Sequence, residues 1–75
     1  MKIDARITFT EKTAKQVGRD TFRVEVDLDE VEDTVDSVYE YVSDKLSEAF
    51  GGTFFEDEYE IENLDEIIEE IKSND

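Results

Sequence analysis

From Lys2 to Thr10 apolar and polar residues alternate without a break. Ile3, Ala5, Ile7 and Phe9 fall on one side, and Lys2, Asp4, Arg6 and Thr8 on the other. A period of two sends alternate side chains to opposite faces, so this segment predicts a half-buried β-strand. Thr21 to Leu28 repeats the pattern, with Phe22, Val24, Val26 and Leu28 inward and Arg23, Glu25 and Asp27 outward. The two strands can pair as an antiparallel hairpin. Their connection, EKTAKQVGRD, exceeds the roughly two to five residues usual between hairpin strands and is expected to be a mobile basic loop over residues 11–20.

In LDEVEDTVDSVYEYVSDKLSEAFGG the period changes. At about 100° per residue Val31, Val35, Val38, Val42, Leu46 and Ala49 share one stripe, with Tyr39 and Phe50 at its edge, which predicts a helix of about twenty residues. Asp27 with Glu30, or Asp29 with Glu32, supplies a capping box for its start, and Gly51 a left-handed stop. Thr53 to Glu62 alternates again, with Phe55, Tyr59 and Ile61 inward and Glu56, Glu58, Glu60 and Glu62 outward, giving a third strand. Asn63 with Glu66 caps a second helix whose apolar face is Leu64, Ile67, Ile68 and Ile71. Residues 73–75 are expected to fray.

The order is ββαβα in a single small α+β domain over residues 1–75. A right-handed crossover through the long helix places strand three beside strand one and parallel to strand two. The expectation is a three-stranded sheet in order 2-1-3 with both helices on one face.

Seventy-five residues bury only about 60–65% of the surface the unfolded chain exposes, and with no Cys and no His neither a disulfide nor a thiolate metal site can staple the fold. MKIDARITFT lacks the apolar core and cleavage site of a signal peptide, and no window approaches the roughly 18 apolar residues of a membrane span. A cytoplasmic protein is expected.

Charge changes the picture most. The net charge is −15, against about 2 to 8 units for a typical small domain. It is unevenly distributed. Residues 1 to 23 carry six basic side chains against three acidic ones, whereas residues 24 to 75 carry twenty carboxylates against Lys45 and Lys72 alone. FFEDEYEIENLDEIIEE holds nine carboxylates and no cation. Such a surface repels nucleic acid and anionic lipid and attracts a basic protein surface.

Catalytic chemistry finds little support. Without His or Cys, the Ser-His, Cys-His and thiolate-zinc mechanisms are excluded. Paired carboxylates on convex faces lack the cleft that separates two pKa values for acid/base work, so no enzymatic activity and no cofactor are expected. An EF-hand frame begun at Asp27 puts Val31 at position 5 and Val38 at position 12, and one begun at Asp57 fails on Tyr59, so no dedicated metal site is expected. Asp36-Ser37-Val38 is similar to the D-S-L element of acyl carrier proteins, a family in which that serine carries a phosphopantetheine arm and opens the second helix of a four-helix bundle. Here Ser37 is expected mid-helix and downstream of two strands, which departs from that pattern.

The carboxylates themselves carry the functional signal. On the long helix Asp33, Asp36, Glu40, Asp44 and Glu48 project opposite the apolar stripe, five charges over about 22 Å at 1.5 Å per residue. That spacing lies within a factor of two of the axial phosphate spacing of one DNA strand, about 3.4 Å. Glu56, Glu58, Glu60 and Glu62 extend the array at about 6.6 Å intervals along strand three, and Asp65, Glu66, Glu69 and Glu70 continue it. Size, charge and the phosphate-like array resemble the acidic DNA-mimic inhibitors, many of them phage-encoded anti-CRISPR proteins. The resemblance spans residues 24 to 75 in character, without an alignable motif. It implies a stoichiometric inhibitor that fills the basic, PAM-reading groove of a nuclease such as a Cas effector. Tyr39, Tyr41, Phe54 and Tyr59 are candidate anchors, Tyr41 foremost because it lies off the apolar stripe. The alternative is a small acidic adaptor, antitoxin-like or regulatory, that neutralises a basic partner and uses the Lys12 to Arg19 segment for a second contact. Either can be a monomer or a homodimer.

Overall fold

The computed structural model describes residues 1–73. Strand β1 (Lys2–Phe9) leads through helix α1 (Glu11–Val17) to strand β2 (Thr21–Asp27), which is followed by helix α2 (Val35–Phe50), strand β3 (Tyr59–Ile61) and helix α3 (Leu64–Ser73). The sheet order is β2-β1-β3. Both β2 and β3 run antiparallel to β1, so β2 and β3 are parallel to each other, as the crossover argument requires. Ala5, Ile7, Phe9, Val24 and Val26 meet Val38, Val42 and Leu46 of α2 and Ile67 and Ile71 of α3 in one core. Phe9, Phe22, Phe50 and Phe54 close one end of it, with ring centroids 4.9–6.3 Å apart.

The connection over residues 11–20 is not simply a loop, because its first seven residues form α1. Thr10 is extended, its Oγ1 accepts from Thr13 N at 3.4 Å, and Gly18 ends the helix in the left-handed region at φ 80°, its N–H donating to Ala14 O. Glu11 in the first turn and Lys15 in the last complement the helix dipole. The buried Thr13 ties α1 to the chain before β3 by donating to Glu58 Oε2 at 3.4 Å.

Helix α2 starts later than either capping box proposes. Asp27 Oδ1 accepts from Asp29 N, and Asp27 O accepts from Glu30 N, so Asp27 builds a turn off the end of β2. Leu28 and Val31 are buried along this turn rather than on a helix. The N-cap is Thr34, whose side chain accepts from Ser37 N at 3.2 Å. Val35, expected in the core, is 46% exposed in the first turn, and Ala49 is exposed as well. Gly51 stops the helix at φ 81°, ψ 163°, an extended positive-φ conformation open essentially to Gly rather than the left-handed one expected.

The third strand is also shorter than expected. Residues 53–58 wrap around the end of the core, so Phe54 is buried and Phe55, expected inward, is 62% exposed. Pairing with β1 covers only Ile7↔Ile61, Thr8↔Glu60 and Phe9↔Tyr59. Beyond it a side chain replaces the strand. Asn63 Oδ1 accepts from Arg6 N at 2.9 Å, Asn63 Nδ2 donates to Asp4 O at 2.8 Å, and Glu62 N donates to Arg6 O. The side chain expected to cap α3 therefore completes the sheet ladder, while the Asn63 carbonyl accepts from Ile67 N. Asn63→Leu leaves a donor and an acceptor of β1 unpaired, at about 1–3 kcal/mol for each one that water cannot reach. We expect about 2 kcal/mol of lost stability together with faster hydrogen exchange at the Arg6 amide. Unchanged exchange there contradicts this role. The fraying expected over 73–75 falls, beyond Ser73, outside the described residues.

Candidate functional site

The acidic ridge stands on the exposed side of α2. Buried Val38, Val42 and Leu46 face the sheet, so Asp36, Glu40, Asp44 and Glu48, two residues out of phase, face solvent. Neighbours four apart are separated by about 6 Å along the axis, so the row spans about 18 Å. That interval is close to two nucleotide rises of about 3.4 Å. Asp33, expected as the first member, precedes the helix, and the ridge has four members rather than five. Glu48 approaches Lys45 Nζ at 3.8 Å, whereas Asp36, Glu40 and Asp44 make no ion pair among the described residues.

Two grooves flank the ridge. One, of about 470 Å³, adds Glu30 and Glu32 from the β2–α2 turn to Asp36, Glu40 and Asp44. The other, of about 320 Å³, brings Glu56 and exposed Phe55 against Tyr39, Ser43 and the same three carboxylates. Glu30, Glu32 and Phe55 are the site residues that periodicity missed. A helix extended back to residue 29 hides the first two, and a strand register through Phe55 turns the third inward.

The row expected along strand three does not form. Glu56 lies in the 53–58 segment, and only Glu60 lies on β3. Glu58 is half-buried, with Oε1 accepting from Phe55 N at 3.3 Å and Oε2 from Thr13 Oγ1, which makes it a structural carboxylate. Glu62 Oε1 accepts from Thr8 Oγ1 at 2.8 Å. Glu60 and Glu62 belong to the sheet side of the molecule, apart from the α2 ridge.

The expected aromatic anchors are engaged in the fold. The Tyr41 hydroxyl accepts from Asp27 N at 3.3 Å, and Lys45 Nζ lies 5.4 Å from its ring centroid. Phe54 and Tyr59 are buried. Tyr59 Oη donates to Tyr39 O at 3.1 Å, so its contact with Ser43 Oγ at 2.6 Å is donated by the serine. Burial pushes the Tyr59 phenol above its ordinary value of 10.0, partly offset by the Ser43 hydrogen bond. The proton is held more tightly in the folded state, so this contribution to stability is complete below the unfolded value and is lost as pH rises above about 10. Tyr59→Phe is expected to flatten the fall in thermal midpoint above pH 10, which a melting series from pH 8 to 11 reads directly. An equal fall in both proteins contradicts it.

Ser37 is not mid-helix as expected; it lies in the first turn of α2, where its Oγ accepts from Glu32 N at 2.9 Å. The three-stranded sheet nevertheless departs from the four-helix bundle of acyl carrier proteins. Among the described residues no group of three or more carboxylates is placed to hold a metal ion, and no helix is long and apolar enough to cross a membrane.

Fold and surface together define a small α+β domain bearing a convex acidic ridge. No protein-family model, curated protein or solved structure matches the chain.

Proposed function

We propose that this chain is a non-enzymatic, acidic DNA-mimic protein of the phage anti-CRISPR type. Its α2 ridge lies in the basic DNA-binding, PAM-reading groove of a nuclease such as a Cas effector and blocks DNA binding there, in the cytoplasm of the host cell. The observation that carries the reading is the run Asp36, Glu40 and Asp44, exposed and free of ion pairs among the described residues. Like charges four apart destabilise a helix by about 0.2–0.5 kcal/mol per pair. Apart from the favourable place of Asp36 in the first turn of the helix, folding gains nothing from them, whereas an Arg-lined groove supplies charge-assisted, bidentate partners.

The flanking grooves support the same reading. Glu30, Glu32 and Glu56 widen the ridge into a band of negative charge. Phe55 adds an exposed aromatic contact of the kind that anchors interfaces. The protein itself contacts no nucleic acid in this scheme. Displacement of a fluorescent duplex carrying the recognition motif from an RNA-guided nuclease tests it. Stoichiometric displacement at low salt is expected; if DNA stays bound to every basic nuclease tried, the mimic reading is wrong.

A further inference from the structure

We propose that the uncovered face of the sheet holds a binding site for a single phosphoryl group, such as the phosphate monoester of a small ligand, formed by Arg6, Arg23 and Arg19. It lies on β1, β2 and the turn that leads into β2, away from the α2 ridge, and does not depend on the DNA-mimic reading.

Register is the starting observation. Arg6 on the central strand is directly opposite Arg23 on β2. The bonds Phe9 N to Asp20 O and Leu28 N to Met1 O flank the ladder at the hydrogen-bonded phase. By alternation, Arg6 and Arg23 form a non-hydrogen-bonded pair, the class with Cα atoms only about 4.5 Å apart and side chains closest. Like charges so placed are destabilising. A chain with 23 acidic and 8 basic residues has placed two of its guanidiniums there.

The available carboxylates do not quench them. Arg6, Arg19 and Arg23 make no ion pair among the described residues. Glu25, a diagonal neighbour of Arg6, pairs with Lys2 at 3.2 Å. Arg19 Cζ lies 5.3 Å from the Phe22 ring centroid, a cation–π contact at the edge of the groove.

The three arginines line one groove of about 520 Å³, shared with Ile7, Thr21, Phe22 and Glu62. Glu62 already accepts a hydrogen bond from Thr8. Three cations against one carboxylate leave a local charge near +2, which matches the roughly −1.5 to −2 of a phosphate monoester at neutral pH. Guanidinium forks suit tetrahedral oxyanions. An extended polyanion is disfavoured, because it runs from this groove into Asp4, Glu25 and Glu60 on the same face.

The test is thermal melting at pH 7.5 with inorganic phosphate as the probe, against sodium chloride at matched ionic strength, on wild type and Arg23→Gln. Without phosphate, Arg23→Gln melts at or above wild type, since the like-charge pair is gone. At phosphate tenfold above its dissociation constant, wild type gains about 5–10 °C over the chloride control. Arg23→Gln binds phosphate about 10- to 100-fold more weakly, the loss of one charge-assisted contact. In nitrogen-edited spectra the Nε–H signals of Arg6, Arg19 and Arg23 shift with phosphate, while backbone signals of α2 do not. Equal shifts with chloride, or an unaltered response in Arg23→Gln, overturn the proposal. So does tighter binding of a DNA duplex than of phosphate.

Discussion

Replacing Asp36, Glu40 and Asp44 together by Lys is expected to weaken binding to a basic nuclease groove by at least about a thousandfold while leaving the domain folded. Removing one partner of a desolvated charge pair typically costs about 2–5 kcal/mol, and three reversals place cations against cations, so the loss exceeds the roughly 4 kcal/mol of a thousandfold. Effects on the fold nearly cancel. Asp36 sits in the first turn of α2, where a cation forfeits about 0.3–1 kcal/mol of dipole stabilisation. The repulsive neighbours at 36, 40 and 44 become repulsive cations, but the third pair becomes attractive toward Glu48. Net charge falls from −15 by six units, which relieves self-repulsion. Circular dichroism and melting of the triple variant, beside duplex displacement, separate the two effects. Unchanged displacement by a folded variant moves the contact away from α2.

The largest effect on stability is expected from Leu46→Ala. Leu46 is fully buried where α2 meets the core. Such truncations cost about 2.7–5 kcal/mol, the deleted methyl groups plus the cavity they leave. A domain of this length has about 4–11 kcal/mol in total at 0.05–0.15 kcal/mol per residue, so one side chain removes about a quarter or more of the margin. A fall of about 11–40 °C in melting temperature is expected, at roughly 4–8 °C per kcal/mol. Val35→Ala, on the same helix but half-exposed, is the control, with a change within about 0.5 kcal/mol. Equal costs for the two contradict the placement of α2.

Much of this fold is legible in the sequence because most of its core is periodic. Alternation in β1 and β2 fixes which face is buried, and the handed crossover fixes sheet order. What escaped has local causes. Helix α1 is seven residues long, too short for periodicity to stand out, although Thr10, Glu11, Lys15 and Gly18 mark both its ends. The start of α2 is hidden because Asp27 and Asp29 satisfy the capping pattern while Asp27 is spent on a turn. At Phe54 and Phe55 two adjacent aromatics allow either register, and the wrap of residues 53–58 selects Phe54 for the core.

The acidic site is legible where it rests on α2 and not where it rests on β3. Asp36, Glu40, Asp44 and Glu48 follow from helical spacing alone. Glu58 does not, because its role depends on Thr13 from a helix too short to show in the hydrophobic pattern. Asn63 is a similar case: its partners on β1 are more than fifty positions away, and no local pattern announces a side chain that stands in for a strand.

Affinity of the wild-type protein for an RNA-guided nuclease, measured by duplex displacement from about 50 to 200 mM salt, tests the central claim most directly. Carboxylates exposed in the free protein are screened over about 14 Å at the low end of this range and about 7 Å at the high end, and the DNA they replace is itself held by salt-sensitive contacts. The account predicts saturable, one-to-one displacement at low salt whose affinity falls steeply across the series. An affinity with no salt dependence once the duplex's own salt dependence is divided out, or nuclease binding that leaves the duplex in place, contradicts it.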